Sequence, residues 1–171
     1  MSKKLWQVKL SEVVKRLQKP GRSTRIAVIG IGNELRGDDA AGLRLAGILK
    51  SLVAKNGNLL VIEAGPAPEN FSGTLRRFQP DLVLLIDAAD MSLDPGTVQW
   101  LSVRDTTGFS ASTHSLPLHI LADYLITELG CEVALIGIQP THSDVDTPLT
   151  PVVQEATEAT AKALAEAFQA L

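Results

Sequence analysis

Three polar residues stand where apolar runs end or helices begin, and their types suit chemistry: Asp39, Asp87 and His114. Asp39 follows the stretch "VIGIGNELRGD", Asp87 closes "DLVLLID", and His114 lies in "STHSLPLH". Two carboxylates and one imidazole make a mixed oxygen and nitrogen donor set. It suits a borderline divalent ion such as zinc, nickel or cadmium, with positions left open for substrate. A carboxylate buried after five apolar residues is costly unless it meets a partner, which applies to Asp87. Each residue also has a plainer role. An aspartate at a helix N-terminus is commonly a cap favoured by the dipole. Asp38 and Asp39 are adjacent, however, and only one cap position exists, so Asp38 is expected as the cap and Asp39 as the ligand. Asp87 could cap a turn, and His114 could be a loop histidine for which His119 or His142 substitutes.

The elements that must position these residues are legible in the hydrophobic pattern. "RIAVIGIG", "LLVIEAG", "DLVLLIDAAD" and "CEVALIGIQ" lack polar alternation, as strands covered on both faces do. Helical spacing is expected over Asp39–Leu52, Glu69–Phe78, Leu118–Leu129 and Pro151–Leu171, the last with proline in its first turn. "TVQWLSV", after the turn "LDPG", reads as a further strand, antiparallel or at an edge. The expected fold is α/β: a three-layer α/β/α sandwich around a twisted, mostly parallel five-stranded sheet, phosphorylase/hydrolase-like. In such sheets ligands bind beyond the carboxyl ends of the strands, where these three residues fall. Residues 1–23 read as a basic, helical N-terminal extension and 24–171 as one domain.

Bulk properties are consistent with this. The chain has 171 residues, 45% hydrophobic, with net charge −3, enough for one domain with a substantial core. No apolar run reaches the roughly 18 residues of a membrane span, and "MSKKLWQVKL" lacks the apolar centre of a signal peptide. The single cysteine, Cys131, excludes an internal disulfide and a multi-cysteine zinc site, and it reads as a small buried residue. A cytoplasmic location follows as an expectation. Before Ile26 there are eight basic residues and one acid, leaving eight basic against eighteen acidic residues beyond it. That basic segment could touch an acidic partner, but its one aromatic, Trp6, makes no interleaved pattern and the body is acidic, so nucleic acid is not expected. A helix over "LSEVVKRLQ" docking Leu10, Val13, Val14 and Leu17 on the domain is the preferred reading.

Other chemistries fit less well. "GIGNEL" opens like a dinucleotide loop, and Glu63 imitates a ribose-binding acid. Leu35 nevertheless replaces the third glycine, and two carboxylates would repel a pyrophosphate. A P-loop lysine and a G-x-S-x-G nucleophile elbow are both absent. Asp38 and Asp39 diverge as chain neighbours and do not form an aspartic-protease dyad. "HSDVD", His142–Asp146, is a second polar cluster and reads as part of a mobile loop before the last helix.

"GIGNELRGDDAAG" resembles the G-x-G-N-x-x-x-x-D-D/E-x-x-G segment that opens the hydrogenase maturation endopeptidases. "EAGPAPEN", "LLIDAADMSLDPG", "STHSLPL" and "LIGIQP" follow in the family's order, so the resemblance spans roughly Arg25 to Leu171. "PAPEN" and "THSLPL" look most like the subgroup acting on hydrogenase 3 and related membrane-bound, formate-linked enzymes. The resemblance implies an α/β/α fold and an endopeptidase, often classed as aspartic-type. Such an enzyme removes a short C-terminal peptide from the precursor of a nickel–iron hydrogenase large subunit, after nickel insertion. Nickel carried by that precursor would be the recognition signal, and other divalent ions could enter the site in vitro. Position by position, the resemblance makes Asp39, Asp87 and His114 the metal-binding and catalytic residues. Ala40 departs from a common glycine, and the basic extension has no counterpart. Whether a carboxylate or the metal activates water stays open, as does base catalysis by Asp39 or Asp38. A monomer without membrane insertion is expected. The rival functions are a non-catalytic nickel or precursor chaperone and a nucleotide-binding oxidoreductase.

Overall fold

The computed structural model describes residues 4–53, 57–106 and 116–169. The elements follow in chain order as α1 (Leu5–Leu17), β1 (Ile26–Ile31), α2 (Ala41–Leu52), β2 (Leu59–Gly65), α3 (Ser72–Phe78), β3 (Leu82–Ala88), β4 (Val98–Leu101), α4 (Leu118–Leu129), β5 (Glu132–Ile138) and α5 (Pro151–Gln169). Short 3-10 turns, Gly37–Ala40, Pro68–Phe71 and Val103–Thr106, precede α2, α3 and α4. The sheet order is β2-β1-β3-β5-β4, parallel throughout except for the antiparallel edge strand β4. This is the expected α/β sandwich with a mostly parallel five-stranded sheet.

Period-two alternation divides the strands between two apolar layers. Val28, Leu84 and Ile136 face α1, α2 and α5, meeting Leu45, Leu49, Leu164 and Phe168. Ala27, Ile29, Val83, Leu85 and Leu135 face α3 and α4, meeting Leu75, Leu121 and Leu125. Both faces of β1 and β3 are buried along their whole length, which is why those runs show no polar alternation. Cys131 is buried beneath α4, its thiol donating to the Leu125 carbonyl, and burial pushes its pKa up to about 11.

The N-terminal helix starts earlier than its Leu10–Gln18 reading. Trp6, Leu10 and Val14 recur every four residues and are buried in the same cluster as α2 and α5, while Val13 and Leu17 pack at its margin. Trp6 extends the apolar stripe by one turn, and that turn makes the helix long enough to dock. Much of the basic segment's charge is spent within the domain. Arg16 pairs with Glu132, Lys19 and Arg22 pair with Asp81, and Arg25 lies 4.5 Å from the centre of the Phe78 ring.

Among the described residues, no helix is long and apolar enough to cross a membrane.

Candidate active site

The site is built by the way α2 enters the sheet. A methyl group on Gly42 would stand 2.2 Å from the Ile86 carbonyl oxygen and 2.4 Å from that of Ile31. The first turn of α2 is therefore wedged against the carboxyl ends of β1 and β3. From the strand side, a methyl on Gly30 of β1 would stand 2.3 Å from the Gly42 carbonyl oxygen and 2.4 Å from Ala46 Cβ, one turn further along the helix. These glycines are needed for close strand–helix packing. Strand order reverses between β1 and β3, so this is the topological switch point, where α/β folds bind their ligands.

The chain between β1 and α2 folds back on itself. Gly32 has φ +141°, and a side chain there would meet the Asp39 carbonyl at 1.9 Å. The return lets the backbone N–H of Asn33 donate to Asp39 Oδ2 at 3.0 Å. Asn33 Oδ1 in turn accepts from the Leu35 N–H at 3.0 Å, and the Asp39 N–H donates to the Arg36 carbonyl. The loop's Asn33 N–H is thus engaged by a carboxylate of its own chain. Glu63, the acid that imitated a ribose ligand, pairs instead with Lys50 at 3.1 Å. The geometry thus gives the glycines a packing role and does not favour the nucleotide reading.

Asp87 ends β3 one residue after Ile86, beside Gly137 of β5. Asp39 is 2% exposed and Asp87 1% exposed, at the ends of neighbouring central strands. With Asp38 they are the buried acids among the described residues, and carboxylates are rarely buried without a partner. They form a hard oxygen pair able to ligate a divalent ion or to accept a proton. His114 lies outside the described residues, as do Ser112 and Ser115, so the third predicted member is not placed. Among the described residues no group of three His, Cys, Asp or Glu side chains forms a metal cluster. Of the alternative imidazoles, His119 sits in the first turn of α4, and His142 Nδ1 lies 3.4 Å from Asp144 Oδ2.

Asp38 corrects an expectation. It does not cap α2: the Asp pair belongs to the 3-10 turn, α2 starts at Ala41, and neither element has a side-chain cap. Its fully buried carboxylate accepts instead from the N–H of Thr141 at 2.8 Å, of His142 at 3.4 Å and of Thr150 at 2.7 Å. The Thr150 hydroxyl adds contacts of 2.9 Å to both oxygens. The β5–α5 loop is also laced to the same turn by Gly37 N–H to Thr147 O, Asp38 N–H to His142 O and Asp146 N–H to Leu35 O. "HSDVD" is therefore a pinned segment. The physical reason is that a carboxylate removed from water needs donors, and over a hundred residues of chain separate it from those it finds.

Gln139, just past β5, plays a similar part for the loop after Asp87. Its Oε1 accepts from Met91 N–H at 2.6 Å and Leu93 N–H at 3.3 Å, and its amide donates to Asp90. The Ser92 N–H and this amide hold the Asp90 carboxyl below its usual range. Sequence reasoning missed both Asn33 and Gln139 as supports. The only signals were the asparagine inside "GIGN" and the glutamine at a strand's carboxyl end. A cavity of about 580 Å³ opens beside Ala40, lined by Leu43, Gly47, Leu149 and the charged Glu34, Arg44 and Glu63.

The family model for hydrogenase maturation protease, HycI, matches residues 43–167. The chain belongs to the hydrogenase maturation protease family. Within that family it is 39% identical over 129 residues to the hydrogenase 3 maturation protease of Escherichia coli K12, covering 75% of this chain and 81% of that protein. Its structure resembles the crystal structure of a nickel–iron hydrogenase maturation protease, HycI, from Thermococcus kodakarensis. That likeness has a TM-score of 0.80 at 35% identity, over 92% of this chain and 97% of the other. It also resembles the hydrogenase maturating endopeptidase HybD from E. coli, with a TM-score of 0.72 at 25% identity, over 85% and 93% of the two chains. For a hydrogenase maturation protease, buried acids at the switch point are the natural place to look for peptide-bond chemistry. Asp87 falls within the matched residues, and the Asp38–Asp39 turn lies just ahead of them.

Proposed function

We propose that this protease removes a short C-terminal peptide from the nickel-loaded precursor of a nickel–iron hydrogenase large subunit. The observation that carries the reading is the burial of Asp39, in the turn before α2, and of Asp87, at the end of the strand on which the first turn of α2 packs. With His114 they form the set that would complete the coordination of a nickel ion still held by the precursor. Nickel is then part of the substrate, and its presence is the signal that the precursor is ready. Oxygen and imidazole donors bind such an ion less tightly than thiolates, so the protease can read the metal without removing it. Docking to the ion fixes the tail over the site, and that positioning lowers the barrier to attack.

Hydrolysis then requires a water to lose a proton as its oxygen adds to the scissile carbonyl. The C–N bond breaks, and the leaving amine takes up a proton. The geometry favours Asp39 over Asp38 as the carboxylate for this work. Both Asp38 oxygens are already occupied by N–H and O–H donors, and it could act as a base only by releasing them. An aspartic-type label is apt in this reading only in the sense that carboxylates carry the site. Polarisation of water or carbonyl by the substrate's nickel is the other route to the same step. A monomer working in the cytoplasm fits the single buried thiol and the acidic body.

The test is to incubate the protein with nickel-loaded and nickel-free precursor and to weigh the intact products. Loss of a C-terminal peptide only from the nickel-loaded form is expected. Stable binding without mass loss would overturn the protease reading in favour of a chaperone, and equal cleavage of both forms would overturn the nickel signal.

A further inference from the structure

We infer that Asp38 is a positioning residue, which sets the direction of the Asp39 carboxylate by fastening the 33–39 turn to the β5–α5 loop. The inference deepens the protease reading and rests on it for its kinetic consequence. Asp38 is buried as fully as any apolar residue of the core. Its carboxylate accepts from the backbone of Thr141 and His142 and from the backbone and hydroxyl of Thr150. A carboxylate is an acceptor only, with room for about four donors, and here four donor groups converge on it. No neighbouring residue type could substitute: an amide has one acceptor oxygen and would turn its NH2 toward an N–H.

The strap leads directly to Asp39. Thr141, His142 and Thr150 hold Asp38, and the adjacent peptide carries Asp39. On the other side, Gly37 N–H and Leu35 O are bonded to the same loop through Thr147 and Asp146. The turn is thus clamped at residues 35, 37 and 38 before it delivers Asp39 onto the Asn33 N–H. Loosening the clamp shifts the Asn33–Asp39 contact and with it the ligand carboxylate. The Asp38 side chain itself faces the loop.

The experiment uses Asp38→Asn and the milder Thr150→Val, which removes one hydroxyl donor and leaves the backbone bond. The first readout is on the free protein: the amide signal and hydrogen exchange of Asn33 and Leu35. Both variants are expected to shift the Asn33 amide and to speed its exchange, Asp38→Asn more than Thr150→Val, while amides in β3 stay protected. The second readout is processing of the nickel-loaded precursor. For Asp38→Asn a fall of kcat by about 10- to 100-fold with KM changed less than about threefold is expected, the signature of a displaced reacting group. Should Asp38→Asn fail to fold, Thr150→Val carries the test with the same sign and a smaller loss. An unchanged Asn33 amide, or a raised KM with kcat intact, overturns the inference. If the wild-type protein leaves the precursor unshortened, the protease reading falls, but the Asn33 readout still decides whether Asp38 positions Asp39.

Discussion

A methyl group on Gly42 would collide with the carbonyl oxygen of Ile86 at 2.2 Å, so the first turn of α2 rests on the backbone of β3 itself. That contact brings the turn carrying Asp39 to the strand end carrying Asp87. It also reverses an ordinary rule. In a helix, Gly→Ala normally stabilises by about 1 kcal/mol. Here Gly42→Ala should destabilise by about 1–3 kcal/mol, because backbone on both sides cannot yield. Gly47, one and a half turns along the same helix, is the control. Its nearest neighbour is the end of the Glu63 side chain at 3.0 Å, which can swing away. Gly47→Ala should stabilise by about 0.5–1 kcal/mol. Urea unfolding of the two variants measures both signs.

Asp39→Asn and Asp87→Asn keep the shape of the site and remove its charge. Each should slow processing of nickel-loaded precursor by about 100- to 10,000-fold, with unfolding midpoints close to wild type or higher. A variant that cleaves at the wild-type rate would remove that aspartate from the chemistry.

Asp81 predicts how stability responds to acid. Burial pushes its pKa up, but the Arg25 backbone N–H, the Arg22 guanidinium and the Lys19 ammonium outweigh that and hold it below the ordinary aspartate value of 3.8. A carboxyl depressed in the folded state contributes stability that is fully present above the unfolded pKa. That stability is lost as pH falls through the folded one. The window therefore lies below pH 3.8. Asp81→Asn should flatten the stability profile there and lower stability at neutral pH. Denaturant midpoints of both proteins at neutral pH and below that boundary give the comparison.

Trp6→Ala tests whether the N-terminal helix belongs to the core. Trp6 is 2% exposed within the cluster that holds Leu164 and Phe168. Its truncation should cost about 3–5 kcal/mol, whereas Leu5→Ala, at a position 65% exposed, should cost little. Equal thermal midpoints for the Trp6 variant and wild type would mean that α1 is an appendage.

The sequence by itself determined the sandwich and pointed to one end of its sheet for Asp39 and Asp87. The unbroken apolar runs of β1 and β3 are strands covered on both faces, whereas β2, read the same way, is an edge strand only partly covered and leaves Glu63 exposed. Leu118–Leu129 showed its helical stripe in full, and a parallel sheet puts every strand-end acid at one edge. These features are periodic or local, so composition and spacing carry them. Tertiary structure alone decided what the residues around Asp39 do. Periodicity could suggest a cap for Asp38, but its donors lie more than a hundred residues away, and hydrogen bonds across such distances leave no pattern in the chain. The glycines looked like a phosphate loop until the packing of α2 against β1 and β3 showed what a side chain would strike. The docking of α1 likewise depends on a neighbour far along the sequence, the edge strand β4. Strand and helix follow from the order of residues. The direction of a buried carboxylate follows from whatever donors the fold brings to it.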